Sequence, residues 1–278
     1  MKKVLTIQSF ASYGKCAGSL ALPVLSAMGM QTTLLPTAYL STHTGFKDFT
    51  FRDMTEEMQA SIKHFEALHL HFDAVYVGYL GSLQQLQLVQ SLHSLYPDAL
   101  WIVDPAMGDN GNLYSRVTPD FIEAYRSLCG EADYILPNLT EACALAGLPY
   151  TPQPDSLALL RSLQMLGASH VVLTGLSDAS DSVGSMLLTP DGTLVSAYQP
   201  QIPGHFHGTG DLFASAFCGA LLRGLSDDKA LTLATTFTQR VIAATAANSP
   251  AEPDSGAHWH GLLFEEELPW LIKAAFQC

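Results

Sequence analysis

Short apolar runs alternate with stretches of helical periodicity from Val4 to Leu176. Apolar runs with the length of a buried strand occupy residues 4–9, 32–41, 73–80, 100–105, 134–138 and 170–176. Between them, apolar spacing and helix start and stop signals predict helices over residues 16–29, 54–69, 83–97, 118–130, 139–147 and 156–167. This alternation, with short connections, predicts an α/β fold in which helices cover both faces of a mostly parallel sheet.

The pattern changes after residue 182. Two strand-like segments within residues 183–200 flank a Pro-Asp-Gly turn, which is typical of a β-hairpin. Helices are predicted over residues 211–223 and 226–248. Since neither a linker nor an internal repeat interrupts the chain, we expect a single domain over residues 1–278.

Composition and charge restrict the class of protein. Of the 278 residues, 48% are hydrophobic and 14% are charged, which suits a large buried core. The formal net charge of −13 and the lack of a basic patch argue against a nucleic-acid partner. No stretch approaches the roughly 18 apolar residues of a membrane span, and the first apolar run is too short for a signal peptide. The five cysteines form no CxxC pair, which favours reduced thiols and a cytoplasmic location.

A glycine-containing turn leads directly into an apolar helical run within residues 204–217. The turn is Gly208-Thr209-Gly210, and Asp211 follows it. Asp211 could cap the helix, since aspartate is a favoured N-cap residue. Alternatively, the glycines bring backbone N–H groups and the helix dipole to a bound phosphate, and Asp211 lies where a substrate hydroxyl meets the phosphoryl group. Both interpretations stay open at this point.

Positive charge is missing around this turn. No Lys or Arg lies between Arg161 and Arg223. A phosphate bound at the turn must therefore be held by backbone amides, the helix dipole and a metal ion, because no local lysine can hold it.

Polar side chains follow several of the predicted strands. In open parallel sheets, ligands bind beyond the carboxyl ends of the strands, so these residues are candidate ligands. They are Ser9, Tyr79, Asp104, Asn138 with Glu141, and Thr174. Asp104 is either part of a strand-ending turn or an acidic group near Mg²⁺ and phosphate, and Glu141 is a second carboxylate suited to reach the ion through water.

The histidines offer weaker signals. His43 lies in a loop beside Thr44, and a loop histidine is more often a surface or packing residue than a catalytic one. The Thr44 hydroxyl suits a bond to a polar heterocycle. His258 and His260 are spaced poorly for metal binding from a helix and lack an evident third ligand, so we expect them at the surface.

Seven short segments in collinear order carry a more specific resemblance. They are IQSFASYGK at the start, THTGF at 42–46, VGYLGS at 77–82, VDPAMGDNGNLY at 103–114, LPNLTEA at 136–142, VVLTG at 171–175 and HGTGD at 207–211. The chain resembles the ribokinase-like superfamily, which the GTGD motif alone would indicate. The other segments resemble the pyridoxal kinase family within it, and the resemblance spans residue 4 to about residue 245.

The resemblance implies a three-layer α/β/α fold and a kinase of vitamin B6 salvage. The implied reaction is the ATP-dependent phosphorylation of the 5′-hydroxymethyl group of pyridoxal, pyridoxamine or pyridoxine. The resemblance also implies Mg²⁺, often a monovalent cation such as K⁺ or Na⁺, and usually a homodimer.

Roles for single residues follow from the same resemblance. Asp211 would be the base facing the substrate hydroxyl, and Gly208, Thr209 and Gly210 would form the anion hole. The other assignments are Ser9, Thr44 and Tyr79 around the pyridine ring, Tyr114 on a flexible loop near it, Asp104, Asp109 and Glu141 around the metal and phosphates, and Asn138 and Thr174 beside the nucleotide phosphates. Because a helix N-terminus favours an ionised aspartate, Asp211 is expected to be a weak base. Residues 108–114 are expected to form a lid over bound ligands.

Two departures from the family pattern leave questions open. Leu136 stands where some relatives have a threonine at a monovalent-cation site, so backbone carbonyls would have to supply that site. SYGKCAGS, residues 12–19, differs from the more usual YGHxGN, and its Lys15 would either reach a phosphate or remain solvated.

Three alternative functions share parts of this pattern. Hydroxymethylpyrimidine kinase has the same fold and mechanism, but its family opens with a GSDSxGGAG-type segment that this chain lacks. The hydratase-repair lyase of the same superfamily does not need the HTGF segment. A catalytically inactive binding protein is disfavoured by the retention of Asp211, Asp104 and Glu141.

Overall fold

The computed structural model describes residues 1–178, 181–249 and 260–277, together with the backbone of residues 257 and 258. Its strands are β1 (Lys3–Tyr13), β2 (Gln31–Thr42), β3 (Phe51–Asp53), β4 (Ala74–Val77), β5 (Leu100–Val103), β6 (Gly108–Asp109), β7 (Asn112–Leu113), β8 (Tyr134–Ile135), β9 (His170–Ser177), β10 (Ser182–Leu188), β11 (Leu194–Pro200), β12 (His205–Phe206) and β13 (Ala257–His258). Its helices are α1 (Gly18–Ala27), α2 (Thr55–Ala67), α3 (Leu83–Leu95), α4 (Pro119–Gly130), α5 (Leu139–Ala146), α6 (Ser156–Gln164), α7 (Thr209–Leu222), α8 (Asp227–Asn248) and α9 (Leu268–Phe276), with a 3₁₀ turn at Glu265–Glu267.

Nine of these strands form one sheet, in the order β11-β10-β9-β8-β5-β4-β1-β2-β3. The strands from β2 to β9 in that order run parallel to their neighbours. β3 at one edge, and β10 with β11 at the other, pair antiparallel. The predicted α/β fold with a mostly parallel sheet is therefore confirmed, and the predicted hairpin is the β10–β11 pair.

The parallel strands are apolar throughout because helices cover both of their faces. In β4, Val75 and Val77 pack into the core beneath helices α2 to α6. Ala74 and Tyr76 of the same strand pack into the opposite core, beneath α1, α7, α8 and α9. All four side chains are fully buried. The sheet thus forms the middle of three layers.

The order of the strands opens a crevice at the carboxyl edge of the sheet. β2 pairs with one side of β1, and β4 pairs with the other. The helices that follow β1 and β4, α1 and α3, pack on opposite faces of the sheet. The segments leaving these two strands therefore diverge, which is the arrangement that forms ligand crevices in open α/β sheets.

Short elements and the C-terminal region differ from the sequence prediction. β3, β6 and β7 contain two or three residues each, too few for periodicity to reveal. Pro23 lies inside α1 and not at its start. α9 was not among the predicted elements, although its Leu271 and Ala275 side chains are buried. Within the described part of the chain, no helix combines the length and the apolar character needed to cross a membrane.

α1 and α7 pack closely against each other near their C-terminal ends. At Gly219 in α7, a β-carbon would collide with the sulfur of Met28 and would lie 2.9 Å from its Cε. Met28, which directly follows α1, is fully buried. The helix pair positions Ala17 at the start of α1 beside Asp211 in the first turn of α7.

We expect Gly219→Ala to destabilise the protein. In an exposed helix interior, this substitution stabilises by about 1 kcal/mol. Here the added methyl group overpacks the α1–α7 contact, which costs about 1–3 kcal/mol. Urea unfolding should therefore show a lower midpoint than that of the parent protein. A higher midpoint would mean that Met28 moves aside without cost and that this contact does not fix the helix pair.

Candidate active site

Two cavities at the carboxyl edge of the sheet share one wall. The first has a volume of about 360 Å³, and we call it the carboxylate cavity. Apart from the shared wall, the site residues predicted from the sequence that line it are Asp104, Asp109, Asn138, Glu141, Thr174, Thr209 and Gly210. The second, of about 580 Å³, is the aromatic cavity, lined by Ser9, His43, Thr44, Phe49, Phe51, Tyr79, Arg116 and Phe121 among others. The shared wall consists of Ala106, Tyr114, His207, Gly208 and Asp211. Every site residue predicted from the sequence therefore lines one cavity or both.

The start of α7 faces both cavities. The capping position of this helix is Gly208, which has a left-handed backbone with φ of 88°, and no side chain caps the first turn. A β-carbon at Gly208 would lie 2.8 Å from the carbonyl oxygen of Lys15. Uncapped N–H groups at a helix start are suited to bind an anion. Asp211 is the third residue of the helix, so the interpretation of Asp211 as the N-cap is wrong.

The carboxylate of Asp211 is held from outside its own helix. Its Oδ2 accepts a hydrogen bond of 2.8 Å from the backbone N–H of Ala17. Burial raises the pKa of Asp211 to about 6, although the Ala17 N–H acts in the opposite direction. The expectation of a weak base is therefore corrected: desolvation outweighs the helix dipole, and Asp211 becomes a better proton acceptor near neutral pH.

Asp104 and Glu141 add two further carboxylates to the carboxylate cavity. Burial and the charge of Asp211 raise the pKa of Asp104 to about 8. Burial and the charge of Asp104 raise the pKa of Glu141 well above its ordinary value. The described lining of this cavity contains neither Lys nor Arg. With no basic side chain in the described lining to stabilise the ionised forms, Asp104 and Glu141 favour their protonated, neutral forms in the absence of a cation.

Glu141 also has a structural role at the start of α5. One of its oxygens accepts the N–H of Asn138 at 2.9 Å, and the other accepts the N–H of Met107 at 3.1 Å. Asn138 in return accepts the N–H groups of Thr140 and Glu141, which completes a capping box. Asn138 forms an isolated parallel bridge with Thr174, so these two candidates lie side by side at the sheet edge.

Asp109 is more exposed than Asp104 and Glu141. It lies in the β6–β7 hairpin, is exposed, and accepts hydrogen bonds from the backbone N–H and the side chain of Asn110. Among the described residues, no group of three or more His, Cys, Asp or Glu side chains is arranged to hold a metal ion. The set of Asp104, Asp109 and Glu141 therefore lines one cavity without forming a ready metal cluster.

The predicted lid segment forms the β6–β7 hairpin. Gly111 at its turn donates its N–H to the Thr140 hydroxyl at 2.9 Å, which ties the hairpin to α5. Tyr114, which follows the hairpin, forms part of the shared wall. Whether this segment closes over ligands stays a prediction.

Two histidines form a wall that the sequence did not reveal. The rings of His43 and His207 stack with centroids 4.7 Å apart and an interplanar angle of 20°. Burial, together with His43 and His205, lowers the pKa of His207 to about 4, so His207 is neutral at pH 7. His43 is a buried packing residue, and its neighbourhood with Thr44 was the one available signal.

Arg116 is a second cavity residue that the sequence pattern did not indicate. It follows the β6–β7 hairpin and lines the aromatic cavity, where its guanidinium carbon lies 4.6 Å from the centroid of the Phe51 ring. Among the described lining residues of both cavities, it is the one Lys or Arg. The aromatic cavity therefore carries a positive charge that the carboxylate cavity lacks.

The remaining candidates lie outside both cavities. Lys15 is absent from the described lining and binds Glu265 instead. Leu136 is buried, with 3% of its surface exposed. His260 is exposed, as expected, and its Nδ1 lies 2.7 Å from the hydroxyl of Tyr13. Only the backbone of His258 is described, where it pairs with Phe206.

Comparison with known proteins gives consistent matches over most of the chain. The phosphomethylpyrimidine kinase family model matches residues 22–253. Pyridoxal kinase PdxY from Pasteurella multocida (strain Pm70) is 32% identical over 244 residues, which is 83% of this chain and 84% of the relative. Two solved structures are also similar. Pyridoxal kinase from Lactobacillus plantarum superposes with a TM-score of 0.91 at 32% identity, covering 98% of this chain and 97% of that chain. A candidate phosphomethylpyrimidine kinase from Bacteroides thetaiotaomicron VPI-5482, crystallised with pyridoxal, superposes with a TM-score of 0.89 at 35% identity, covering 97% and 95%.

We expect Asp104→Asn to stabilise the protein at alkaline pH. The raised pKa of about 8 means that folded Asp104 keeps a proton that the unfolded chain loses near pH 4. Stability therefore falls as pH rises through this window, by about 1 kcal/mol per pH unit. In metal-free buffer, the melting temperature of the variant should exceed that of the parent at pH 8, and the difference should shrink towards pH 5.

Asp191→Asn is the matched control, because Asp191 is exposed and its pKa is lowered to about 2. Its effect on the melting temperature should not vary between pH 5 and pH 8. An equal lack of pH dependence in Asp104→Asn would contradict the raised pKa of Asp104.

Proposed function

The chain belongs to the phosphomethylpyrimidine kinase family and, within it, to the pyridoxal kinases, and we propose that it phosphorylates the 5′-hydroxymethyl group of a B6 vitamer with ATP. One observation carries the residue-level proposal. Asp211 lies in the wall shared by the carboxylate and aromatic cavities, so a single carboxylate contacts both ligand spaces. A base between two substrates is the arrangement that direct transfer between them requires.

The carboxylate cavity is the proposed nucleotide side. The uncapped N–H groups of Gly208, Thr209 and Gly210 would bind the transferred phosphoryl group, where charge accumulates during the reaction. Asn138 and Thr174 would lie beside the other phosphates, since both line this cavity at the sheet edge.

The aromatic cavity is the proposed vitamer side. Its walls combine aromatic rings with the hydroxyl groups of Ser9, Thr44 and Tyr79, which suits a flat heterocycle bearing polar substituents. Tyr114 in the shared wall would separate the ring from the phosphates.

Asp211 would act as the general base. Its Oδ2 is oriented by the Ala17 N–H, and its pKa of about 6 leaves it mostly ionised at pH 7 while still able to accept a proton. As the vitamer hydroxyl oxygen bonds to the γ-phosphorus, the bond from that phosphorus to the bridging oxygen breaks. ADP leaves with the electron pair, and the hydroxyl proton passes to Asp211.

The donor set of the carboxylate cavity fits a magnesium–nucleotide complex. Asp104 and Glu141 line a cavity without Lys or Arg among its described residues, so a bound cation would supply the positive charge that favours their ionised forms. Mg²⁺ is commonly held by one or two carboxylates, with waters and phosphate oxygens completing its shell. Glu141 would bind through water, because both of its oxygens already accept backbone N–H groups. When bound, the ion would neutralise phosphate charge.

Several expectations remain predictions from the sequence. They are the monovalent cation, the homodimer, the cytoplasmic location and the single domain over residues 1–278. Asp109 as a further group near the metal belongs with them, since it is exposed and bonded to Asn110.

Steady-state kinetics with four acceptors tests the proposed function. We expect phosphorylation of at least one of pyridoxal, pyridoxamine and pyridoxine with a higher kcat/KM than that for hydroxymethylpyrimidine. The aromatic cavity, with its hydroxyl groups and Arg116, is the source of this preference. A higher kcat/KM for the pyrimidine would instead assign the chain to the thiamine-related reaction, and no transfer to any of the four would refute both.

We expect Asp211→Asn to lower kcat by about 10²–10⁴-fold, the usual loss for a general base. Asparagine keeps an oxygen that can accept the Ala17 N–H, so the fold and the binding of the vitamer should change little. Rapid-quench measurement of a single turnover separates the chemical step from product release. A variant that keeps the parent kcat would show that Asp211 has only a structural role.

A further inference from the structure

The turn between β1 and α1 supplies a hydrogen bond that orients the Asp211 carboxylate, from the backbone N–H of Ala17. We propose that Lys15 is a positioning residue for phosphoryl transfer: its ion pair with Glu265 holds this turn, residues 13–17, in the shape that presents the Ala17 N–H to Asp211. The inference rests on the proposed role of Asp211 as base, and it assigns a function to the lysine that departs from the family pattern.

The turn has a strained backbone. Gly14 has φ of 101°, and Lys15 and Ala17 have φ of 47° and 49°. Ala17 also has ψ of −128°, a combination that residues with a β-carbon rarely adopt. Such conformations persist only where surrounding contacts determine them. The contacts that hold this turn therefore decide where the Ala17 N–H points.

Residues 261–265, which we call the C-terminal segment, supply these contacts. The Nζ of Lys15 lies 2.6 Å and 2.7 Å from the two carboxylate oxygens of Glu265, which is 250 residues further along the chain. The same Nζ lies 5.3 Å from the ring centroid of Phe264, whose side chain is buried. A β-carbon at Gly261 would collide with the carbonyl oxygen of Gly14, so the segment packs directly against the turn.

The residues of the turn do not all face the aromatic cavity. Cys16 and Ala17 line the aromatic cavity, whereas Lys15 is not among the described residues that line either cavity. The carbonyl oxygen of Lys15 packs against Gly208, where a β-carbon would lie 2.8 Å away. Lys15 therefore contacts the C-terminal segment with its side chain and the anion-binding turn with its backbone.

The ion pair is expected to affect alignment more than folding. The side chains of Lys15 and Glu265 are 31% and 54% exposed, and exposed ion pairs contribute little to stability. A small movement of a base relative to its substrate, by contrast, lowers the rate steeply. Loss of the pair should therefore lower kcat without unfolding the protein.

Two substitutions break the pair from either side: Lys15→Met keeps the alkyl chain, and Glu265→Gln keeps the shape. We expect each to lower kcat about 10-fold while KM for ATP and for the vitamer changes less than about 2-fold. The double variant should be no slower than either single variant, because both remove one interaction. Lys15→Arg, which keeps the charge over Phe264, should recover most of the parent kcat.

Arg240→Met is the matched control. Arg240 pairs with Glu267 at 2.7 Å and lies 5.0 Å from the ring centroid of Trp270, so it repeats the Lys15 arrangement two residues further along the same acidic run. It does not contact the turn in any described interaction. Its kcat should equal that of the parent even if its melting temperature falls.

Amide hydrogen exchange of the peptide that contains Ala17 gives a readout independent of catalysis. We expect faster exchange in Lys15→Met than in the parent, without ligands. Unchanged exchange would overturn the proposal, as would faster exchange with an unchanged kcat. A rise in KM for ATP with an unchanged kcat would make Lys15 a phosphate ligand and would also overturn it. If the parent phosphorylates no B6 vitamer, the proposed function fails, whereas exchange at Ala17 still decides whether Lys15 holds the turn.

Discussion

The burial of carboxylates at one edge of the sheet is the constraint on which the site depends. Asp104, Glu141 and Asp211 surround a cavity whose described lining contains neither Lys nor Arg. Desolvation raises the pKa of each group, so ionising these carboxylates in the folded protein costs stability. The two apolar cores on either face of the sheet offset that cost. A cation bound together with an anionic ligand would favour the ionised carboxylates, which would suit the proposed metal–nucleotide substrate.

The position of Asp211 depends on segments that are far apart in the sequence. α1 and α7 pack side by side, in close contact at Met28 and Gly219 near their C-terminal ends. The strained turn before α1 then delivers the Ala17 N–H to the carboxylate. Gly208 allows the anion-binding turn to approach the same strained turn. The geometry of the base is therefore a property of the whole contact between β1, α1 and α7, and the GTGD motif supplies only one part of it.

Features that depend on residues close together in the sequence could be predicted, whereas features that depend on distant segments could not. Strands, helices and the polar residues at strand ends follow from local patterns, so Asp104 and Thr174 were placed at the correct edge. The pKa of Asp211 was misjudged because the helix dipole is a local effect, whereas the desolvation that outweighs it arises from segments assembled by folding. The stacking of His43 on His207 joins segments that are distant in the sequence, so the position of His43 beside Thr44 could not reveal its partner. The same holds for the contact of Arg116 with the Phe51 ring.

The two cavities share one wall, but the rest of their lining comes from partly different segments. The carboxylate cavity uses segments from Asp104 onward, whereas the aromatic cavity adds residues of β1, β3 and the loop around Thr44 to the shared wall and to residues 115–117 and 121. On the proposed assignment, substitutions in β1, β3 or the loop around Thr44 would change which heterocycle binds with little effect on the phosphate side. This separation accommodates a family model described by a pyrimidine kinase together with relatives that are pyridoxal kinases. The shared wall would set the limit: with Asp211 as the proposed base, an acceptor must bring a hydroxyl group to it, which would favour flat heterocycles that carry a hydroxymethyl substituent.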